Sequence, residues 1–177
     1  ARTARFGADA TGLQELVLYG LKGIAAYAHH ARQMARVAPA VDDFMISALA
    51  RLDAGESDVE GLLGLALACG EASVGVLALL DAAHVDTFGK PEPTEVRIGH
   101  VPGKAILVSG HDLVDLKALL EQTAGKGINV YTHGEMLPAH GYPELKRFPH
   151  LAGHFGGAWM RQQKEFPKFP GPIVMTT

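Results

Sequence analysis

Two stretches hold the side chains best suited to chemistry. In Ala105-Ile106-Leu107-Val108-Ser109-Gly110-His111-Asp112-Leu113, a run of β-favouring residues leads into a histidine and an aspartate. In Val130-Tyr131-Thr132-His133-Gly134-Glu135-Met136-Leu137-Pro138-Ala139-His140, a second run leads into two histidines and a carboxylate. Each reads as a buried strand ending in a loop, and loops on a rigid scaffold carry most chemistry. In open parallel sheets, ligands bind beyond the carboxyl ends of the strands. Neighbouring parallel strands lie about 4.8 Å apart, so side chains from their ends converge. His111 and Glu135 are placed to do so, and Thr177 stands close to a third such position. Imidazole and carboxylate together suit iron or zinc. The alternative is structural: His111 bonds the turn and Glu135 caps a short helix.

Other motifs are weaker. His133, Glu135 and Pro138 match part of the zinc-deaminase pattern, but the two cysteines that pattern requires are missing. The paired histidines of H-E-x-x-H are absent too. Asp112 opens a helical stretch, where a carboxylate favours the exposed N–H groups, and reads as a cap. Gly153-His154-Phe155-Gly156-Gly157 is neither a phosphate loop nor a dinucleotide fingerprint and reads as a tight turn. His29 and His30 fall late in a helix, while His84, His100 and His150 read as surface or loop residues. His140 is a candidate support for the Glu135 loop. Cys69, the single cysteine, excludes an internal disulfide and reads as a small buried hydrophobe.

The elements that must position these residues follow from periodicity. Thr11 with Gln14 suggests a capping box for a helix running to about Ala38, ended by Pro39. A second helix spans about residues 42–52 and stops at Gly55. Ser57 with Glu60 opens a third, to about His84. The spacing predicts an N-terminal three-helix bundle segment over residues 1–85. Residues 86–103, with Pro91, Pro93, Gly89 and Gly99, read as a linker. Residues 104–177 alternate strands and helices: strands at 104–109, 128–132 and 172–177, helices at 113–123 and 158–166, a short helix near 142–147, and a strand or loop at 151–155. The fold class is therefore α + α/β, the second part an incomplete parallel-sheet, Rossmann-like α/β domain. Ending in or just after a strand at Thr177, the chain reads as a fragment.

Composition sets outer limits. The 177 residues are 47% hydrophobic and 20% charged, with a formal charge of −3. No basic cluster supports nucleic-acid binding. The apolar stretches near Leu65 and Leu77 are interrupted by Gly70, Glu71 and Gly75, so no membrane span is expected. The N-terminus lacks the apolar core of a signal peptide.

The two functional stretches, with Gly20-Leu21-Lys22-Gly23-Ile24-Ala25-Ala26-Tyr27-Ala28 and with Gln163-Lys164-Glu165-Phe166 followed by Gly171-Pro172-Ile173-Val174-Met175-Thr176-Thr177, resemble the hybrid cluster protein family, also called prismane proteins or hydroxylamine reductases. The resemblance covers nearly the whole chain. It implies a longer iron–sulfur protein of which this is the central part. A preceding cysteine motif would hold a four-iron cubane or two-iron cluster. The hybrid iron–sulfur–oxygen cluster would take His111 and Glu135 as ligands, with a further Glu and several cysteines beyond Thr177. Thr176-Thr177 match the start of a Thr-Thr-Asn-Cys motif. His133 and His140 would support the site. The implied activity is reduction of hydroxylamine to ammonia, or of nitric oxide to nitrous oxide, with electrons from a donor protein.

Several expectations follow. The chain alone, with two ligands, should be colourless and inactive, its half-site empty or holding an adventitious divalent ion. Its uncovered apolar surface should favour self-association. No nucleic acid or membrane partner is expected, and the location would be cytoplasmic. The rival readings are a non-catalytic α/β binding or scaffold module and a carbon monoxide dehydrogenase-like relative, the latter opposed by the His133–His140 motif.

Overall fold

The computed structural model describes residues 2–176. They fall into two compact units, Ala1–Ala83 and His84–Thr177.

The first unit is helical: α1 (Arg2–Phe6), α2 (Ala8–Gln33), α3 (Pro39–Asp53) and most of α4 (Val59–Phe88). Its core takes Val17, Leu21 and Ile24 from α2, Ala48 from α3, and Leu62 and Val76 from α4. Each large aliphatic side chain buried there contributes roughly 1.5–3 kcal/mol relative to exposure.

The helix boundaries correct the sequence reading. Thr11 lies inside α2, its hydroxyl donating to the Gly7 carbonyl four residues back. Gln14 reaches across to the Glu56 carbonyl, so the two residues form no capping box. The helix ends at Gln33, and Pro39 opens α3 instead of closing α2. Proline at the first helical position loses no bond, because that N–H has no intrahelical acceptor. At α4 the Asp58 carboxylate, not Ser57, accepts from the Gly61 N–H at 2.7 Å.

Gly70, Glu71 and Gly75 do not interrupt α4, which runs unbroken for 30 residues. A helical glycine costs only about 1 kcal/mol, which packing outweighs. By length and composition alone α4 could cross a membrane, contrary to the expectation from its glycines. Its Leu62, Leu65, Cys69 and Val76 belong to the first unit's core.

The second unit is built on a four-stranded, all-parallel sheet ordered β3-β2-β1-β4. The strands are β1 (Lys104–Ser109), β2 (Ile128–His133), β3 (Leu151–His154) and β4 (Ile173–Met175). Between β1 and β2 lies α5 (Leu113–Thr123). A 3-10 helix (Gly134–Gly141) and α6 (Pro143–Lys146) lead to β3. The stretch expected as one helix over 158–166 is three short turns instead: a 3-10 turn (Trp159–Arg161), α7 (Gln162–Glu165) and a second 3-10 turn (Phe166–Lys168). Pro167 accounts for the last break, since it lacks the N–H that α-helical bonding would use.

Residues 89–103 form no helix or strand, yet they are fastened to this unit. The Arg97 carbonyl accepts from the His154 N–H at 2.8 Å, the Glu92 N–H donates to Gly141 at 2.9 Å, and the Val101 N–H donates to the Tyr131 hydroxyl at 2.7 Å. On one sheet face Leu107 and Tyr131 pack against Phe169, with Phe155, Phe166 and Ile173 around them.

Candidate functional site

Strand order fixes where a site can form. The chain passes from β1 outward through β2 to β3, then returns to place β4 on the other side of β1. That reversal creates a crevice beyond the carboxyl ends of β1 and β4, the usual ligand position in an open α/β sheet.

Three strand ends meet there. β1 continues as Gly110-His111, β2 as Gly134-Glu135, and β4 as Thr176. An open cavity of about 430 Å³ is lined by Ser109, His111, Glu135, Trp159, Gln162 and Thr176, among others. His111 Nε2 and Glu135 Oε2 are in direct contact across its floor. Their side chains are 49% and 53% exposed, so both keep access to solvent and to a ligand. Thr177, expected at a third strand end, lies outside the described residues; Thr176 beside it donates its N–H to the Ser109 carbonyl at 2.8 Å.

Asp112 performs the capping role expected of it. Its Oδ1 accepts from the Val114 and Asp115 N–H groups at 2.8 and 3.0 Å, closing the first turn of α5. Its own N–H donates to Thr176 Oγ1 at 3.1 Å.

Below the cavity floor lies a buried polar layer. His133, fully buried at the end of β2, is the register partner of Ser109 at the end of β1. Its Nδ1 is 3.1 Å from Ser109 Oγ, and its Nε2 is 2.9 Å from Glu165 Oε2. Phe166 packs edge-on to its ring and His154 lies nearly parallel to it. The hydrogen bond from His133, with another from the Gly157 N–H, holds the Glu165 carboxyl below the usual carboxylate range.

His140 stands apart from His111 and Glu135. Its Nε2 is 2.9 Å from Thr132 Oγ1, which also bonds His154 Nδ1 at 2.9 Å. Burial, and then the neighbouring His154, lower its pKa to about 4. His154 is pushed down as well, first by burial and then by His133. The bond from His140 to Thr132 fastens the 3-10 helix that contains Glu135 to β2.

The structure thus joins His111 with Glu135, places His133 at the buried end of β2 against Ser109, and sets His140 on Thr132, linked to His133 through His154. Ser109, Trp159, Gln162 and Glu165 were not singled out from sequence. Ser109 was readable, because it stands in the same place before His111 as His133 does before Glu135. Glu165 falls in the 163–166 stretch that carries the resemblance, but nothing local gave it a role, its partner being 32 residues away. Among the other histidines, His150 bonds Thr123 and the Leu120 carbonyl, and His84 packs against Phe88 and Tyr142. Neither is a bare surface residue. Cys69 is buried against Gly20 as expected, and burial raises its thiol pKa.

The donor set fits an iron or zinc ion in type and in convergence: one imidazole nitrogen and one carboxylate oxygen. Among the described residues no third His, Cys, Asp or Glu joins them.

Comparison with known proteins shows the family. The model of the Prismane/CO dehydrogenase family matches residues 2–177. The chain belongs to that family. It is 60% identical over 177 residues to a hydroxylamine reductase of Zymomonas mobilis subsp. mobilis, covering all of this chain and 32% of the relative. A hydroxylamine reductase of Rhodospirillum rubrum is 61% identical over 171 residues, covering 97% and 31%. One from Methanocella arvoryzae is 52% identical over 174 residues, covering 97% and 32%. The resemblance read from the motifs therefore holds at the level of the family. The chain spans about a third of the length of these relatives.

Proposed function

We propose that this chain supplies His111 and Glu135 as two iron ligands of a hybrid iron–sulfur–oxygen cluster, in an oxidoreductase that reduces hydroxylamine to ammonia. The observation that carries the proposal is the contact of His111 Nε2 with Glu135 Oε2 across the ends of adjacent parallel strands. It occurs in a chain of the Prismane/CO dehydrogenase family whose relatives cited above are named hydroxylamine reductase.

When bound, such a cluster supplies the electrons and an iron made harder by nitrogen and oxygen ligands, suited to an oxygen-bearing substrate. The chain's own residues orient and enclose. His111 and Glu135 are placed by the paired ends of β1 and β2, each one glycine beyond the last register pair. Trp159 and Gln162 wall the cavity above them. The remaining ligands, including cysteines, would come from other parts of the polypeptide, as would a second iron–sulfur cluster. On this reading the 177 residues alone bind no hybrid cluster and are inactive, at most holding a divalent ion. A small nitrogen oxide, either hydroxylamine or nitric oxide, is the substrate class, an electron-donor protein is the partner, and the location is cytoplasmic.

The test uses the protein as its gene encodes it, purified without oxygen. Iron, acid-labile sulfide, the absorption spectrum and hydroxylamine-dependent oxidation of a reduced dye are measured. The expected result is a brown protein that consumes hydroxylamine, with iron lost in His111→Ala and in Glu135→Ala. Absence of iron from the wild type overturns the proposal and favours a non-catalytic α/β module.

A further inference from the structure

We infer that Glu165 is a positioning residue: by holding His133 in one tautomer, it locks together the strand ends from which His111 and Glu135 project. The tautomer half stands on geometry alone. The positioning half rests on the functional reading above.

Three short elements meet at one buried ring. Ser109 and His133 are the last register pair of the β1–β2 ladder. Each is followed by one glycine and then by a member of the candidate ligand pair: Ser109-Gly110-His111 and His133-Gly134-Glu135. A side-chain bond between Ser109 and His133 therefore ties the two loops at their roots. Glu165 arrives from a third element, the end of α7, whose first residue Gln162 lines the same cavity as Trp159.

For a neutral His133 ring the hydrogen-bond chemistry permits one assignment. A carboxylate only accepts, so His133 must donate from Nε2 to Glu165. In the neutral ring Nδ1 is then an acceptor, and the Ser109 hydroxyl donates to it. The same Glu165 oxygen also accepts from the Gly157 N–H, at 3.1 Å. The backbone is shaped to admit this carboxylate. Gly156 has φ +77°, and a Cβ there would lie 2.5 Å from Glu165 Oε2 and 3.0 Å from His133 Cδ2. With Phe166 edge-on at 4.9 Å, the ring has no freedom to turn.

Because one oxygen accepts both bonds, a neutral amide can replace it. Glu165→Gln keeps an acceptor for His133 and Gly157, whereas Glu165→Ala removes it. Ser109→Ala should leave the tautomer unchanged, because Glu165 sets it. Glu165→Ala is expected to lower iron retention, because His133 loses the acceptor that sets its tautomer and with it the tie to Ser109.

The experiment takes the protein as encoded, prepared without oxygen, in wild-type, Glu165→Gln, Glu165→Ala and Ser109→Ala forms. Nitrogen-15 histidine NMR at neutral pH reads the His133 tautomer, with the signal assigned by its loss in His133→Asn. Iron content and the electron paramagnetic resonance spectrum read the ligand pair. Expected is a ring protonated at Nε2 alone in wild type, Glu165→Gln and Ser109→Ala, with that state lost in Glu165→Ala. Iron and spectrum should hold in wild type and Glu165→Gln and weaken in Glu165→Ala; they should also weaken in Ser109→Ala, which breaks the tie between the two loops while leaving the tautomer in place.

A doubly protonated wild-type ring, a tautomer that survives Glu165→Ala, or one that moves in Ser109→Ala overturns the inference. So does Glu165→Gln behaving like Glu165→Ala, since charge and not bond geometry would then be responsible. Should the tautomer change while iron and spectrum stay fixed, the positioning half fails. A protein without iron in any form refutes the functional reading and the positioning half with it; the NMR arm then decides the tautomer half by itself. If Glu165→Ala fails to fold, Ser109→Ala and Glu165→Gln still decide.

Discussion

The backbone of Gly110 runs so close to Thr176 that any β-carbon at position 110 would overlap the Thr176 carbonyl. Gly110 also has φ +120°, a conformation that side chains rarely adopt. One residue thus lets the end of β4 lie beside the end of β1. Gly110→Ala is expected to destabilise the fold by at least about 1–3 kcal/mol from backbone strain, before the overlap is added. Denaturant unfolding gives the loss, and amide exchange at Thr176, whose N–H bonds Ser109, shows whether the β4 end has parted. Unchanged exchange at Thr176 would mean that this approach is not what Gly110 provides.

Asp112 closes the first turn of α5 with one oxygen. Replacing it with alanine should cost about 1 kcal/mol, the usual worth of a helix cap. Asp112→Asn keeps an oxygen able to accept both N–H bonds and should retain most of that stability. Urea midpoints of the two variants separate capping from any need for charge: equal losses would point to charge.

The pH profile should carry the mark of His140. Its pKa falls from an ordinary 6.5 to about 4 in the folded protein, so the unfolded chain takes up the proton first. Its contribution to stability is complete above pH 6.5 and declines as the pH drops towards 4. Glu165 acts in the same direction lower down: its depressed pKa makes stability fall as the pH passes below the usual carboxylate range. Unfolding measured at a series of pH values should show the first decline in wild type and a flatter course in His140→Gln. Parallel profiles would remove His140 as the source.

His111 and Glu135 are half exposed and bond mainly to each other. Their alanine variants should therefore leave stability within about 0.5 kcal/mol, as surface substitutions usually do. Iron retention in the encoded protein should fall sharply in each. A large loss of stability with iron retained would reverse the two roles and return the pair to the structural reading.

Much of this was legible beforehand where local rules and packing agree. β1 and α5 fall where the sequence puts them, because a β-rich run, a turn glycine and a carboxylate cap follow each other directly. His111 and Glu135 were legible for the same reason: strand ends can be read, and the ends of neighbouring strands converge. What escaped depended on distant partners. Thr11 has the spacing of a cap, yet a helix started three residues earlier and absorbed it. Glu165 lies in a stretch of short turns without periodicity, and only the return of the chain to β4 brings it under His133. Gly70 and Gly75 suggested a break, but core contacts along α4 outweigh their modest helical cost.

The strap over residues 89–103 has a consequence for how the sheet can be extended. A strand at a sheet edge is an open template until its backbone groups are taken. On the β3 side the Arg97 carbonyl already holds the His154 N–H, and Gly153 lies against that same carbonyl with no room for a side chain. On the other side β4 pairs only with β1. A further strand, whatever its origin, therefore meets an edge already partly taken beside β3 and, among the described residues, an open one beside β4.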